Sequence, residues 1–276
     1  MFWNFDPSIT ISLSLYFVTF IALLKIRKVE LKKSWFVPVF ALYFAFVFGT
    51  AFAIFLNGTD SSLSDTDSLL DIIIDILNPR SGRGKVMYGG YFGAIFGIWL
   101  ANLVFKCKSL SIFFDIAATS TSLLYLLWRI GCFLDGCCYG QPSKTFGISF
   151  SKDSIAFRHL QGTDLVTGSS TVPLLPTQLI SCAGDFAIFL FLLILFCKNK
   201  TRYPYFYFFA QMFLYGIGRF TIEFFRIDPR EFWGPLSMSQ WISLVLVAVS
   251  LVFFIKNRQE IVKSFRNPLH NCGNVS

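Results

Sequence analysis

Charge is scarce in this chain of 276 residues: 14% of them are Asp, Glu, Lys or Arg, against roughly a quarter in a soluble domain. That shortage, beside 54% hydrophobic residues and 35 Phe and a mean hydropathy of +0.60, excludes a disordered chain, a secreted disulfide scaffold and an ordinary cytosolic enzyme. Histidine is almost missing, with only His159 and His270, so imidazole ligands and bases are in short supply. The N-terminal MFWNFDPS has no basic segment and no small-residue cleavage site, so the first apolar run is expected to be retained. There is no internal repeat and no low-complexity tract.

What the chain does have is long apolar runs. Seven stand out, at Ile9–Leu24, Trp35–Leu56, Gly89–Phe105, Leu110–Trp128, Leu179–Cys197, Tyr203–Phe225 and Leu236–Ile255. Runs of this length suit a hydrocarbon core about 30 Å thick. Each is expected to be a helix, because open sheet edges cannot be satisfied in lipid. The expected architecture is an all-α polytopic bundle of about seven transmembrane helices, one integral membrane domain over residues 1–276. Residues 57–88 and 139–178 form its two long connections.

The basic residues sort by side. Lys25, Arg27, Lys28, Lys32 and Lys33 follow the first run. Lys106 and Lys108 follow the third, Lys198, Lys200 and Arg202 the fifth, and Lys256, Arg258, Lys263 and Arg266 the seventh. With seven spans all of these fall on one face, while Asp60, Asp65, Asp67, Asp71 and Asp75 fall on the other. The positive-inside rule then sets the N-terminus out and the C-terminus in, with both long connections extracytoplasmic. The net charge of +8 is accounted for by anionic inner-leaflet lipid, and no nucleic-acid partner is expected. Within the first connection, Leu69–Leu77 reads LLDIIIDIL, which suits either an interfacial helix or a plain amphipathic loop helix.

Span ends with ionisable, polar or glycine-rich residues fall in four segments: Met87–Gly97, Trp128–Gly140, Leu174–Leu179 and Tyr215–Asp228. The orientation puts all four at the outer face, although the basic loop residues that set it belong to none of them. Arg129 and Arg219 are the main candidates, since a guanidinium holds a phosphate in a forked geometry; the alternative is a pair of snorkelling anchors. Glu223 lies one helical turn beyond Arg219, so it either pairs structurally or holds that arginine in position. Gly89, Gly90, Gly93, Ala94 and Gly97 permit close helix approach. Asp115 and Asp185 are the deepest acids, and pair inside the bundle or line a watery cavity.

Cys132, Cys137 and Cys138 form a C-x4-C-C cluster. The paired spacing of a zinc site is missing. A disulfide, a thiol activated by nearby arginine, and simple packing are the other readings. No metal and no cofactor is expected.

Taken in order, these segments resemble the prolipoprotein diacylglyceryl transferase family of bacterial inner membranes, over Tyr88 to Asp228. RIGCFLDGCCYG is similar to the family signature, with Arg129 at its essential arginine and Gly131, Gly136 and Gly140 at its glycines. GRFTIEFFR is similar to the second arginine motif, with Arg219 and Glu223 at functional positions and Tyr215 at a family tyrosine. Pro176–Leu179 matches the family's Pro-Ser/Thr-Gln-Leu. Departures mark a divergent, cysteine-rich branch. The family's His-Gly-Gly is Tyr88-Gly89-Gly90, its Asn, Asn and Glu are Cys132, Asp135 and Cys137, and the histidine before the proline is Leu175.

The resemblance implies transfer of diacylglycerol from phosphatidylglycerol to the lipobox cysteine thiol of a preprolipoprotein. The reaction would occur at the outer face of the bacterial cytoplasmic membrane, without metal, with glycerol phosphate released. It implies Arg129, Arg219, Glu223 and Tyr88 as catalytic residues. It places Gly89, Gly90, Cys132, Asp135, Cys137, Gly140, Gln178 and Tyr215 at the substrate. The partners it implies are phosphatidylglycerol, membrane lipid and the preprolipoprotein signal peptide. Tyr88 stands where the family has a proposed base, and a phenol with a reference pKa of ~10 is a poor base at neutral pH. Loss of both family histidines leaves a second reading, a non-catalytic or altered-chemistry phospholipid-binding homologue on the same fold.

Overall fold

The computed structural model describes residues 7–30, 34–57, 76–77, 87–106, 110–198, 201–230 and 232–266. Asp60, Asp65, Asp67, Asp71, Asp75, Cys107, His270 and Cys272 lie outside them, as does the amphipathic stretch Leu69–Leu77 apart from its last two residues. The described chain is overwhelmingly helical. Its helices are α1 (Pro7–Ile26), α2 (Phe36–Asn57), α3 (Met87–Phe105), α4 (Leu110–Asp135), α5 (Ile155–Leu160), α6 (Thr177–Cys197), α7 (Phe206–Ile222), α8 (Met238–Lys256) and α9 (Arg258–Arg266), with a 3-10 turn over Glu223–Phe225. Two short antiparallel hairpins complete it: β1 (Val166–Thr167) with β2 (Ser170–Thr171), and β3 (Phe232–Trp233) with β4 (Leu236–Ser237).

All seven expected runs are helices. Five of them, α2, α3, α4, α6 and α8, are long and apolar enough to cross a membrane. The first run supplies a shorter apolar stretch, Thr10–Ile26, and α7, at 17 residues, carries Gln211 and Arg219 within it. The fourth run is longer than expected. Arg129 does not stop the helix, which continues seven residues past Trp128 to Asp135. It ends where Gly136 adopts φ +71°, a left-handed conformation that glycine takes without a Cβ penalty. Gly136 N–H donates to Phe133 O at 3.1 Å and Cys137 N–H to Cys132 O at 3.0 Å, the bond pair of a Schellman cap. At the other end of the chain, Ser237 caps α8 and Gln240 reciprocates from the third helical position.

The described chain falls into two compact units, one built mainly on residues 17–117 and the other on 118–268. In the first, α3 packs on α2 through a ladder of small residues. A Cβ on Gly89 would come within 2.6 Å of Phe48 O; one on Gly93 would meet Phe44 O, and one on Gly97 Phe40 O. As α3 advances, its partners on α2 run backwards, so the two helices are antiparallel and their backbones nearly touch. Stacked rings close the flanks, Phe36 on Phe105 at 4.8 Å and Phe48 on Phe96 at 5.5 Å.

In the second unit α7 packs against α6 and α8. The long connection over residues 139–178 folds into a small subdomain with its own core of Tyr139, Phe150, Ala156, Leu160 and Leu174. Three strands of backbone meet beneath it. Gly140 N–H donates to Leu175 O, Gln141 N–H to Phe225 O and Leu175 N–H to Gln141 O, each at 2.9 Å, and Ile227 N–H to Tyr139 O at 3.3 Å. A Cβ on Gly140 would lie 2.8 Å from both Leu175 O and Phe225 O. This crossing ties the end of α4, the start of α6 and the end of α7 to one another.

Gly93→Val should therefore cost stability, by about 1–3 kcal/mol on the usual scale of overpacking. Gly184→Ala, whose new Cβ meets nothing within 4 Å, should cost none. Thermal unfolding of both variants in detergent checks the contrast.

Candidate active site

Arg129 sits on α4, six residues before the Schellman cap, and Arg219 on the last turn of α7. Both line one pocket of about 430 Å³ in the second unit. Leu175 and Ile180 enter it from α6 and the segment before it, Asp185 from further along α6, and Tyr215, Ile222 and Phe225 from α7 and its 3-10 extension. Apart from its charged groups the wall is largely aliphatic and aromatic. Arg129 is 6% exposed and Asp185 also 6%. The Asp185 carboxylate feels the charge of both guanidinium groups, and its Oδ2 has no hydrogen-bond partner among the described residues.

Glu223 is the hub of a second, adjoining cluster. It is 3% exposed. Its Oε2 lies 2.7 Å from Arg219 Nη1 and 3.3 Å from Arg226 Nη1. Its Oε1 lies 3.5 Å from Arg230 Nη1 and accepts a hydrogen bond from Ser237 Oγ at 3.0 Å. Arg226 in turn makes a forked pair with Asp228, Nε to Oδ1 at 2.8 Å and Nη2 to Oδ2 at 2.6 Å. Arg219 is braced from α8 by donating to Ser239 Oγ at 3.1 Å. A carboxylate committed to three arginines is a positioning group. Burial opposes the charge on Arg226, but Cys138, Asp228 and Glu223 outweigh it and push its pKa up. Burial holds the Arg230 pKa below its ordinary value, despite Glu223 and Asp228. Burial, with the charge of Asp228, pushes the Tyr139 phenol up to about 12.

The remaining sequence-derived residues fall in three groups. Tyr215 lines the arginine pocket, its ring 4.9 Å from that of Tyr125. Gln178 and Gly140 belong to the backbone crossing: Gln178 Nε2 donates to Cys137 O at 2.5 Å, beside a bond from Thr177 Oγ1 to Cys138 O. Cys132 and Cys137 are half-buried and adjoin Cys138 at the α4 cap, while Asp135 is exposed at the last helical position. Tyr88, Gly89 and Gly90 belong to the first unit. There Tyr88 is 3% exposed and the two glycines make packing contacts with α2.

Sequence reasoning did not single out Arg226, Asp228, Arg230, Ser237 or Ser239. Arg226 closes the motif GRFTIEFFR and Asp228 the segment that holds it, and a Ser-x-x-Gln spacing, Ser237 to Gln240, is the pattern by which Ser237 could have been found. Nothing local marks Arg230 or Ser239 as partners of a residue on α7.

By fold and site this is a multi-pass helical membrane protein with a pocket lined by two arginines. The chain belongs to the prolipoprotein diacylglyceryl transferase family, whose model matches residues 8–256. It is 38% identical over 184 residues to phosphatidylglycerol–prolipoprotein diacylglyceryl transferase 2 of Clostridium perfringens, a match covering 65% of this chain and 66% of that relative, just under two thirds. The like-named transferase of Clostridium tetani is 34% identical over 67% of this chain and 72% of its own. That of Finegoldia magna is 28% identical over 93% and 91%.

Glu223→Gln should leave Arg219 without its carboxylate and Arg226 with Asp228 alone, and removing one partner of a buried pair costs about 3–5 kcal/mol. Glu223→Asp should recover part of the loss. Unfolding midpoints in detergent for the two variants read the difference directly.

Proposed function

We propose that this chain transfers diacylglycerol from phosphatidylglycerol to the lipobox cysteine thiol of a preprolipoprotein. The site would face outward from the bacterial cytoplasmic membrane, with the N-terminus out and the C-terminus in, as the placement of Lys and Arg favours. The observation that carries the reading is the meeting of Arg129 and Arg219, from separate helices, in one largely apolar pocket. The names of the relatives point to the same reaction.

Charge balance supports a single phosphodiester as the ligand. Arg129, Arg219, Arg226 and Arg230 face Asp185, Glu223 and Asp228, so with all seven groups ionised the described cluster carries one positive charge in excess. One phosphodiester anion closes it, which matters because unbalanced buried charge is costly. The apolar wall suits the start of the acyl chains.

In the reaction the acceptor sulfur forms a bond to the glyceryl carbon as the carbon–oxygen bond to phosphate breaks. The thiol proton is released, and the electron pair of the broken bond leaves with glycerol phosphate. Arg129 and Arg219 hold the phosphate and meet the charge that builds on it, usually the largest catalytic contribution. Glu223 keeps Arg219 aimed, and Tyr215 closes the side of the pocket. Tyr88 occupies the family's base position without the basicity for that task at neutral pH, so lowering of the thiol's pKa by the arginine field takes its place.

Arg129→Ala should reduce transfer of labelled diacylglycerol to a lipobox peptide by at least about 100-fold, the scale for removing one charge-stabilising donor. Arg129→Lys should recover only part of it. The same variants should fail to restore lipoprotein maturation in a strain depleted of its own transferase. Full transfer by the alanine variant would refute the role.

A further inference from the structure

The signature helix ends in three thiols that the arginine pocket does not use. The Schellman cap brings the first two together, because it stacks the residue two past the helix end on the third from the end, here Cys137 on Cys132. Cys138 follows with φ +58°, a left-handed turn that reverses the chain. The result is that the sulfur atoms of Cys132, Cys137 and Cys138 all lie within 4.8 Å of one another. Spacing along the chain gave no sign of this, since C-x4-C-C is not a paired zinc pattern.

Three features distinguish this trio from ordinary small packing residues. First, its backbone is clamped: the Cys137 and Cys138 carbonyls accept from Gln178 and Thr177 at the start of α6, so the sulfurs are presented by a fixed turn. Second, the three sulfurs converge on one point just past the end of α4, so a single ion can touch all of them. Third, the charge of Arg129 acts on Cys132 and Cys138, and that of Arg226 on Cys138. Three thiolates around a divalent ion keep one net negative charge, and the positive field of Arg129 and Arg226 attracts it. A tetrahedral ion with metal–sulfur bonds near 2.3 Å sets its sulfurs about 3.8 Å apart, within a rotamer adjustment of the observed separations.

We propose that Cys132, Cys137 and Cys138 form a three-sulfur site for a soft divalent cation of the zinc class, capping α4 beside Arg129. On binding, each thiol loses its proton to solvent and its sulfur becomes a ligand. Metal binding is a property of the chain without lipid, so it stands or falls apart from the transfer reaction.

The test uses the full chain in detergent, reduced and stripped with a chelator, then titrated with Co²⁺. The expected result is one Co²⁺ per chain with a thiolate-to-cobalt charge-transfer band that Zn²⁺ displaces. Cys132→Ser, Cys137→Ser and Cys138→Ser should each abolish the band or weaken binding at least about 10-fold, whereas Cys182→Ser and Cys197→Ser should leave it intact. Should a serine variant unfold, the parent chain still decides: Zn²⁺ should protect Cys132, Cys137 and Cys138 from maleimide while exposed Cys197 remains reactive. No stoichiometric cobalt in the reduced chain, a band that survives loss of Cys137, or no protection by zinc would each overturn the site.

Discussion

The candidate site depends on a backbone crossing that has no room for a side chain. At Gly140 the chain leaving α4 passes between the segment entering α6 and the segment leaving α7, with carbonyls from both within 2.8 Å of where a Cβ would stand. Four backbone hydrogen bonds hold it there. Arg129, Gln178 and Arg219 are far apart in sequence, and each lies within about a dozen residues of this knot. Any larger residue at 140 would part the three segments, and the two guanidinium groups would part with them.

Around the knot the energetics are those of buried charge. Desolvating a guanidinium costs several kcal/mol unless a partner is held in good geometry. Glu223 meets that need for three arginines at once, and the 3-10 turn it opens carries Arg226 to the forked pair with Asp228. Ser237 and Ser239 secure the cluster from the start of α8. Such a network holds its members in one arrangement.

Much of the scaffold was legible in the chain because lipid leaves so few options. A long apolar run has to be a helix, and α2, α3, α6 and α8 begin and end within about two residues of their runs. The ladder of Gly89, Gly93 and Gly97 declared itself by its four-residue spacing. Three things were not legible. Arg129 reads as a stop, yet the last two turns of α4 tolerate it because its charge meets Asp185 and Tyr215 in the second unit. The small core inside the 139–178 connection, Tyr139, Phe150, Ala156, Leu160 and Leu174, is too sparse along the chain to show a period. Arg230 finds Glu223 only because the chain turns back after Asp228, and no local pattern encodes that return.

Gln178 shows why a motif residue should be read by what its side chain touches. As part of Pro-Thr-Gln-Leu it stands among the candidate substrate contacts, and its burial at 1% exposed fits that reading as well as any other. Its amide nitrogen, however, is spent on the Cys137 carbonyl, as the Thr177 hydroxyl is on that of Cys138. These two bonds satisfy carbonyls of the turn just past the helix end, and they lock that turn, which carries the thiols, to the start of α6. The segment therefore acts on the signature from behind. It fixes where the cysteines stand, whatever those cysteines then hold, and it does so through backbone atoms that any residue at 137 and 138 would offer.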